Sequence, residues 1–209
     1  MIPSLFVSLK VLAADIPLLL FLGTSIGWAL AKKNFKGKNL VYNLIILPIA
    51  LPPSVVGLYL LMTLGHIPYL KEANILFSFT AAVIAPLFPA LPIMIQAAKS
   101  GFSSVDEKLE AAARTLGDSE FKVFRRVTFP LAKHYIIGGL ALSSMRALGE
   151  FGVTLMIAGN IPGRTQTLPL FIYSSVESMS FFEANIAAIL LTALGIASLL
   201  IVKRVGGKA

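Results

Sequence analysis

Residues 104–130 read SVDEKLEAAARTLGDSEFKVFRRVTFP, a charged island between long apolar stretches. Ser104 and Glu107 stand in the S-x-x-E spacing of a capping box, which predicts a helix start. Val105, Leu109, Ala112, Ala113 and Leu116 then recur on one helical face, with Asp106, Glu107, Glu110 and Arg114 pointing elsewhere. Gly117 suits a helix end that needs positive φ. Asp118 can cap a second short helix bearing Phe121 and Phe124 on one side, and Pro130 closes the segment. The island therefore predicts two short amphipathic helices, with small residues at 111–113 that permit close packing. Two readings fit: a docking element for a partner, or a solvated or interfacial hairpin with none.

What flanks the island is too apolar for water. Of the 209 residues, 56% are hydrophobic and 13% charged, about half the charge of an ordinary soluble domain. Mean hydropathy is +0.83. A bilayer-crossing helix needs about 20 apolar residues. Five spans fit, at about 5–31, 40–64, 75–98, 135–158 and 184–202, with a polar loop at 99–133, all in one transmembrane domain over 1–209. Gly23 and Gly27 have GxxxG spacing, which predicts close approach of a neighbouring helix. Leu51-Pro52-Pro53 interrupts the second span, and Pro86, Pro89 and Pro92 predict a kink in the third. The N-terminus lacks a basic region and its apolar stretch is long, which predicts a retained helix and no cleaved signal.

The basic residues orient the chain. With the N-terminus outside, the inner loops and tail hold Lys32, Lys33, Lys36, Lys38, Lys99, Lys108, Arg114, Lys122, Arg125, Arg126, Lys133, Lys203, Arg204 and Lys208. The outer loops then hold only Lys71 and Arg164. Cytoplasmic loops carry such an excess, so the C-terminus is expected inside. The net charge of +8 sits at the ends of spans and forms no basic face, so nucleic acid is not an expected partner; the lipid bilayer is.

Within the island, Ala111-Ala112-Ala113-Arg114-Thr115-Leu116-Gly117, then nine residues, then Val127-Thr128-Phe129-Pro130, resembles the EAA loop of ABC importer permeases. The Gly and Pro spacing matches. The acidic residue is Glu110, one position early, and Val127 and Phe129 replace the family's Ile and Leu. A second block is similar to the molybdate permease family, with sulfate permeases as near relatives. It comprises Arg146-Ala147-Leu148-Gly149-Glu150-Phe151-Gly152, then Ala158-Gly159-Asn160-Ile161-Pro162-Gly163 and Thr167-Leu168-Pro169. Leu51–Gly57 and Leu109–Gly117 share that likeness, which covers roughly 8–191.

The resemblance implies an all-α, type I ABC importer permease fold in the cell's inner or plasma membrane, without catalysis of its own. It implies a cytoplasmic ATPase subunit that binds ATP and magnesium, an extracytoplasmic oxyanion-binding protein, a homodimer, and molybdate or tungstate as substrate. A sulfate permease is the alternative within the class. ATPase coupling would fall to Glu110, Ala111, Ala112, Ala113, Gly117, Asp118, Phe121, Phe129 and Pro130.

Within the spans, Arg146 and Glu150 are four residues apart on one helical face, just after Ser143 and Ser144. Ionisable groups at that depth face protein or a water-filled path. This face either lines a translocation path or forms a buried ion pair that fixes packing. Lys10 and Asp15 read as end-of-span charges that can snorkel to the interface. His66 and His134 fall on opposite sides of the membrane, cysteine is absent, and there is no H-E-x-x-H, so no metal site is expected. Lys36-Gly37-Lys38 lacks P-loop spacing, so this chain is expected to hold no cofactor. A membrane-embedded enzyme would need a nucleophile and base at one depth, and Glu150 is the only clear acid deep in a span.

The outer stretch 159–183 predicts a short helix over 168–176, either an interfacial re-entrant element or a contact for a delivering protein.

Overall fold

Helix α1 (Ile2–Lys32) is one 31-residue apolar element. Pro17 can donate no hydrogen bond and crowds the carbonyl four residues back. A π turn at Leu19–Gly23 follows immediately, the kind of local widening that accommodates such a defect. This computed structural model describes residues 1–206, without the side chains at 69–70, 199, 201–203 and 205–206. Lys208 and the Lys203 side chain of the basic tail therefore lie outside the described residues.

The interrupted second stretch is two helices, α2 (Lys38–Ala50) and α3 (Pro53–His66), with 113° between them. The interruption expected at Leu51-Pro52-Pro53 is where the two helices part. A residue before proline is driven out of the α region: Leu51 has ψ 145° and Pro52 ψ 136°. Two successive prolines thus turn the chain rather than kink it. After the short α4 (Pro68–Glu72), α5 runs over Phe79–Ser103, started by Ser78, whose hydroxyl accepts from the Ala81 N–H at 3.3 Å. Pro86, Pro89 and Pro92 lie inside α5 as one uninterrupted helix, all three buried against neighbours.

The polar island forms α6 (Glu107–Thr115), and the chain then enters α7 (Glu120–Leu148). The helix in which the expected fourth span starts thus begins fifteen residues before 135. Pro130 does not close the island: a π turn at Phe124–Thr128 carries the helix through it. After a 60° bend come α8 (Gly152–Ala158), α9 (Leu168–Glu177) and α10 (Phe181–Gly206). Among the described residues three helices are long and apolar enough to cross a membrane, and the two bent pairs bring the number up to five.

Helix α5 is the central post. Its first half packs with α1, α3 and α8 around Val7, Val11, Val56, Ala81, Ala85 and Ile157. Its second half packs with α1 and α7 around Leu19, Ala90, Met94, Ala98 and Ile136. Lipid offers apolar side chains as good a solvent as a neighbouring helix does, so small residues and close backbones hold such bundles. A Cβ on Gly27 would stand 2.6 Å from the Ala98 Cβ, and one on Gly23 2.8 Å from the Met94 Cβ. The GxxxG spacing is therefore the seam between α1 and α5. By contrast, α2 has no buried residue, leaving its apolar surface for lipid or another chain.

Candidate functional site

Helix α6 ends as the sequence leads one to expect. Gly117 has φ +88°, its N–H donates to the Arg114 carbonyl, and the Asp118 N–H donates to the Ala113 carbonyl at 3.1 Å. That pair is a Schellman motif, which needs a left-handed residue at Gly117. The start differs from expectation. Asp106 is the cap, its carboxylate accepting from the Lys108 N–H at 2.9 Å, while the Ser104 hydroxyl donates back to Gly101 at the end of α5. Because α5 continues to Ser103, Ser104 belongs to its last turn and no capping box forms. Asp118 is likewise no cap; it accepts from Arg126 at 3.1 Å, and Ser119 precedes the next helix.

The face that α6 buries is also not the expected apolar stripe. Leu109 and Leu116 are exposed, at 49% and 87%, and Ala111 and Ala112 are exposed beside them; Val105, Glu110 and Ala113 are buried. Glu110 faces inward because both its oxygens have partners there. Thr128 donates to one at 2.6 Å and Lys32 to the other at 3.0 Å. A carboxylate so engaged can be buried where a bare one cannot. Glu110 thereby ties α6 to the ends of both α1 and α7. Phe121 is exposed at 72% and Phe129 is also exposed, while Phe124 packs on Trp28, Phe102 and Phe129. The result is a helical crest with an apolar outer surface of Leu109, Leu116 and Phe121, anchored from beneath by an ion pair.

An exposed bridge, Arg114 to Glu120 at 2.6 Å, joins α6 to the start of α7. The hydrogen bond from the guanidinium, and then its charge, hold the Glu120 carboxyl below its ordinary range. A cavity of about 530 Å³ lies under the crest, lined by Trp28, Lys32, Lys33, Glu107 and Arg114 among others.

At the opposite end of the bundle the N-terminus meets the 159–183 stretch. Ser4 donates to Gln166 and the Leu168 N–H donates to Ser8, each at 2.8 Å. The expected helix there is α9.

Arg146 and Glu150 form a salt bridge at 2.6 Å, although the helix stops at Leu148 between them. The second Glu150 oxygen accepts from the Val153 N–H at 2.8 Å, in the first turn of α8. Glu150 therefore holds the 60° bend: one oxygen faces the helix that ends and the other the helix that begins. Ser143 and Ser144 are buried inside the bundle, and Arg146 is half-exposed. Asp15 corrects the snorkelling expectation. Its side chain is fully buried, with neither oxygen hydrogen-bonded to any described residue, whereas Lys10 is exposed. Among the described residues, no group of three or more His, Cys, Asp or Glu is arranged for a metal.

The residues that sequence reasoning missed are Lys32, Thr128 and Asp15. In the sequence Lys32 carries only a topological signal, and Thr128 stands within Val127-Thr128-Phe129-Pro130 with no role attached. Only proximity across 78 residues of chain makes the first a partner of Glu110.

The family description "binding-protein-dependent transport system inner membrane component" matches residues 23–207. A molybdenum transport system permease protein of Haemophilus influenzae is 37% identical over 182 residues, covering 84% of this chain and 78% of that protein. A sulfate transport system permease protein of Synechococcus elongatus is 31% identical over 193 residues, covering 90% and 68%. Among solved structures, a methionine ABC transporter in inward-facing conformations superposes with a TM-score of 0.79 over 99% of this chain and 94% of that one, at 14% identity. The all-α, multi-span fold is thus that of an ABC importer permease.

Proposed function

The chain belongs to the family of binding-protein-dependent transport system inner membrane components, and from that premise we propose that it is the multi-pass membrane subunit through which an ATP-driven importer takes up molybdate and tungstate. It has no catalytic role of its own; hydrolysis belongs to a separate ATPase, and substrate delivery to a soluble binding protein. The observation that carries the coupling role is the crest of α6: Leu109, Leu116 and Phe121 exposed, with Glu110 anchored beneath to Lys32 and Thr128. An apolar outer face on a helix tied to two spans suits transmission of a partner's movement into the bundle. Ala111, Ala112 and Ala113 keep the helix slim enough to seat in a groove, and Gly117 ends it. Asp118, Phe129 and Pro130 continue the path of force into α7.

The lysine-rich end of α1 and the crest lie together, and the N-terminus lies with α9 at the other end. That distribution supports an N-terminus outside and a crest in the cytoplasm. Five spans in one transmembrane domain follow if each bent pair crosses once. Two copies would then enclose a pathway, with the bare apolar face of α2 available for lipid or for pairing. Arg146, half-exposed at the bend, offers positive potential to a passing oxyanion, while Glu150 keeps that potential too weak to trap it.

Sulfate is the second reading, favoured by the 31% identity to a sulfate permease. Reconstitution with the ATPase and binding protein, followed by competitive uptake, separates them. Molybdate and tungstate should compete with each other at comparable concentrations and sulfate should not; preferential sulfate uptake would reverse the assignment.

A further inference from the structure

Five side-chain atoms among the described residues are buried without a hydrogen-bond partner, and four of them belong to residues lining one small cavity. They are both oxygens of Asp15 on α1, the Thr154 hydroxyl on α8 and the Thr167 hydroxyl just before α9. All three residues are at least nine-tenths buried. Three helical threonines elsewhere mark a contrast: Thr63, Thr115 and Thr192 each donate to the carbonyl four residues back. Thr154 and Thr167 do not, and their oxygens are left to the cavity. Ser8 and Glu150 complete the polar wall. The volume, about 10 Å³, suits one occupant the size of a water molecule.

We propose that this cavity is a binding site for a single monovalent cation, with Asp15 as its counter-charge and Thr154 and Thr167 as neutral oxygen ligands. A buried carboxylate without a partner is not stable as such, and hard cations take oxygen ligands of this kind. Among the described residues lining the cavity, none is basic. The charged groups facing it are Glu150 on the cavity wall and, through Glu150, Arg146, which that carboxylate already occupies. Helix α5 contributes Pro86, and α1 contributes Ser8, Val11 and Leu12, none of them titratable. The cation is an alkali-metal ion; a neutral Asp15 carboxyl is the competing state that the test excludes. Because the cavity joins α1, α5, the bend at Glu150 and the approach to α9, its occupancy stabilises this packing whatever oxyanion is carried.

The test is thermal unfolding of the full chain in lipid nanodiscs, titrated with sodium, potassium or choline chloride at constant ionic strength and at several pH values. If an alkali ion binds, sodium or potassium raises Tm saturably, by about 3–6 °C at ten times half-saturation, and choline does not. Asp15→Asn removes the rise and Thr167→Val moves half-saturation several-fold upward. A wild-type Tm that ignores both alkali salts at every pH overturns the proposal, whatever its dependence on pH. Should Asp15→Asn fail to fold, Thr154→Val and Thr167→Val decide: half-saturation unchanged in both overturns the proposal. A folded Asp15→Asn variant that keeps the wild-type response to alkali ions overturns it as well.

Discussion

Gly117→Val isolates the backbone's part in the crest. At φ +88° a residue with a Cβ is in the left-handed region, which costs an L-residue roughly 1–2 kcal/mol, and a β-branched one is a genuine outlier there. Space is not the obstacle, since a Cβ at 117 would meet nothing within 4 Å. The cost therefore falls on the two hydrogen bonds that end α6, Gly117 to Arg114 and Asp118 to Ala113. A loss of 1–2 kcal/mol lowers the population of that end by roughly 5- to 30-fold. The expected outcome is loss of ATP-driven uptake and of binding-protein-stimulated ATPase in proteoliposomes, with normal insertion. Gly117→Asn, which tolerates positive φ, should retain most activity, and Gly117→Ala should lie between. Wild-type transport by the valine variant would refute the reasoning. Equal failure of the asparagine variant would also do so, by pointing to bulk in the docking surface rather than to φ.

Three further outcomes are expected. Lys32→Met leaves Glu110, 6% exposed, with only Thr128 as partner. It should cost about 2–3 kcal/mol, below the usual 3–5 for a buried pair because Lys32 is partly solvated; Lys32→Arg should be milder, and unfolding in detergent reads both. Arg146→Met should cost about 3 kcal/mol by stranding Glu150. Adding Glu150→Gln should recover part of this, since an amide oxygen can still accept from Val153; strict additivity in the double-mutant cycle would count against a structural pair. Because the chain has no cysteine, single Arg125→Cys and Arg164→Cys variants can be labelled with a membrane-impermeant thiol reagent in whole cells. Only position 164 should react, and labelling at 125 would invert the orientation and remove the coupling role.

Much of the architecture was legible because the bilayer imposes simple rules on sequence. Apolar length announced α1, α5 and α10, Gly23 and Gly27 announced the seam on α5, and Gly117 announced a left-handed helix end. Each is local, set by chain chemistry within a few residues of the feature. The apolar stripe on α6 was equally visible, but which way it faced was not. In water an apolar face turns inward; here the anchor is Glu110, and Leu109 and Leu116 are left outside. That reversal depends on Lys32 and Thr128 arriving from elsewhere in the chain. Pro52 and Pro53 similarly predicted an interruption, but not a 113° turn.

Sequence by itself determined the solvent, the helical class, the distribution of charge along the spans and the left-handed stop at Gly117. Tertiary structure decided the partners of its buried charges: Glu110 with Lys32 and Thr128, Glu150 with both Arg146 and the first turn of α8, and Asp15 with a small oxygen-lined cavity. The division has a physical basis. Hydropathy and backbone preference are properties of a short segment, whereas burying a charge is tolerable only through groups that folding brings to it.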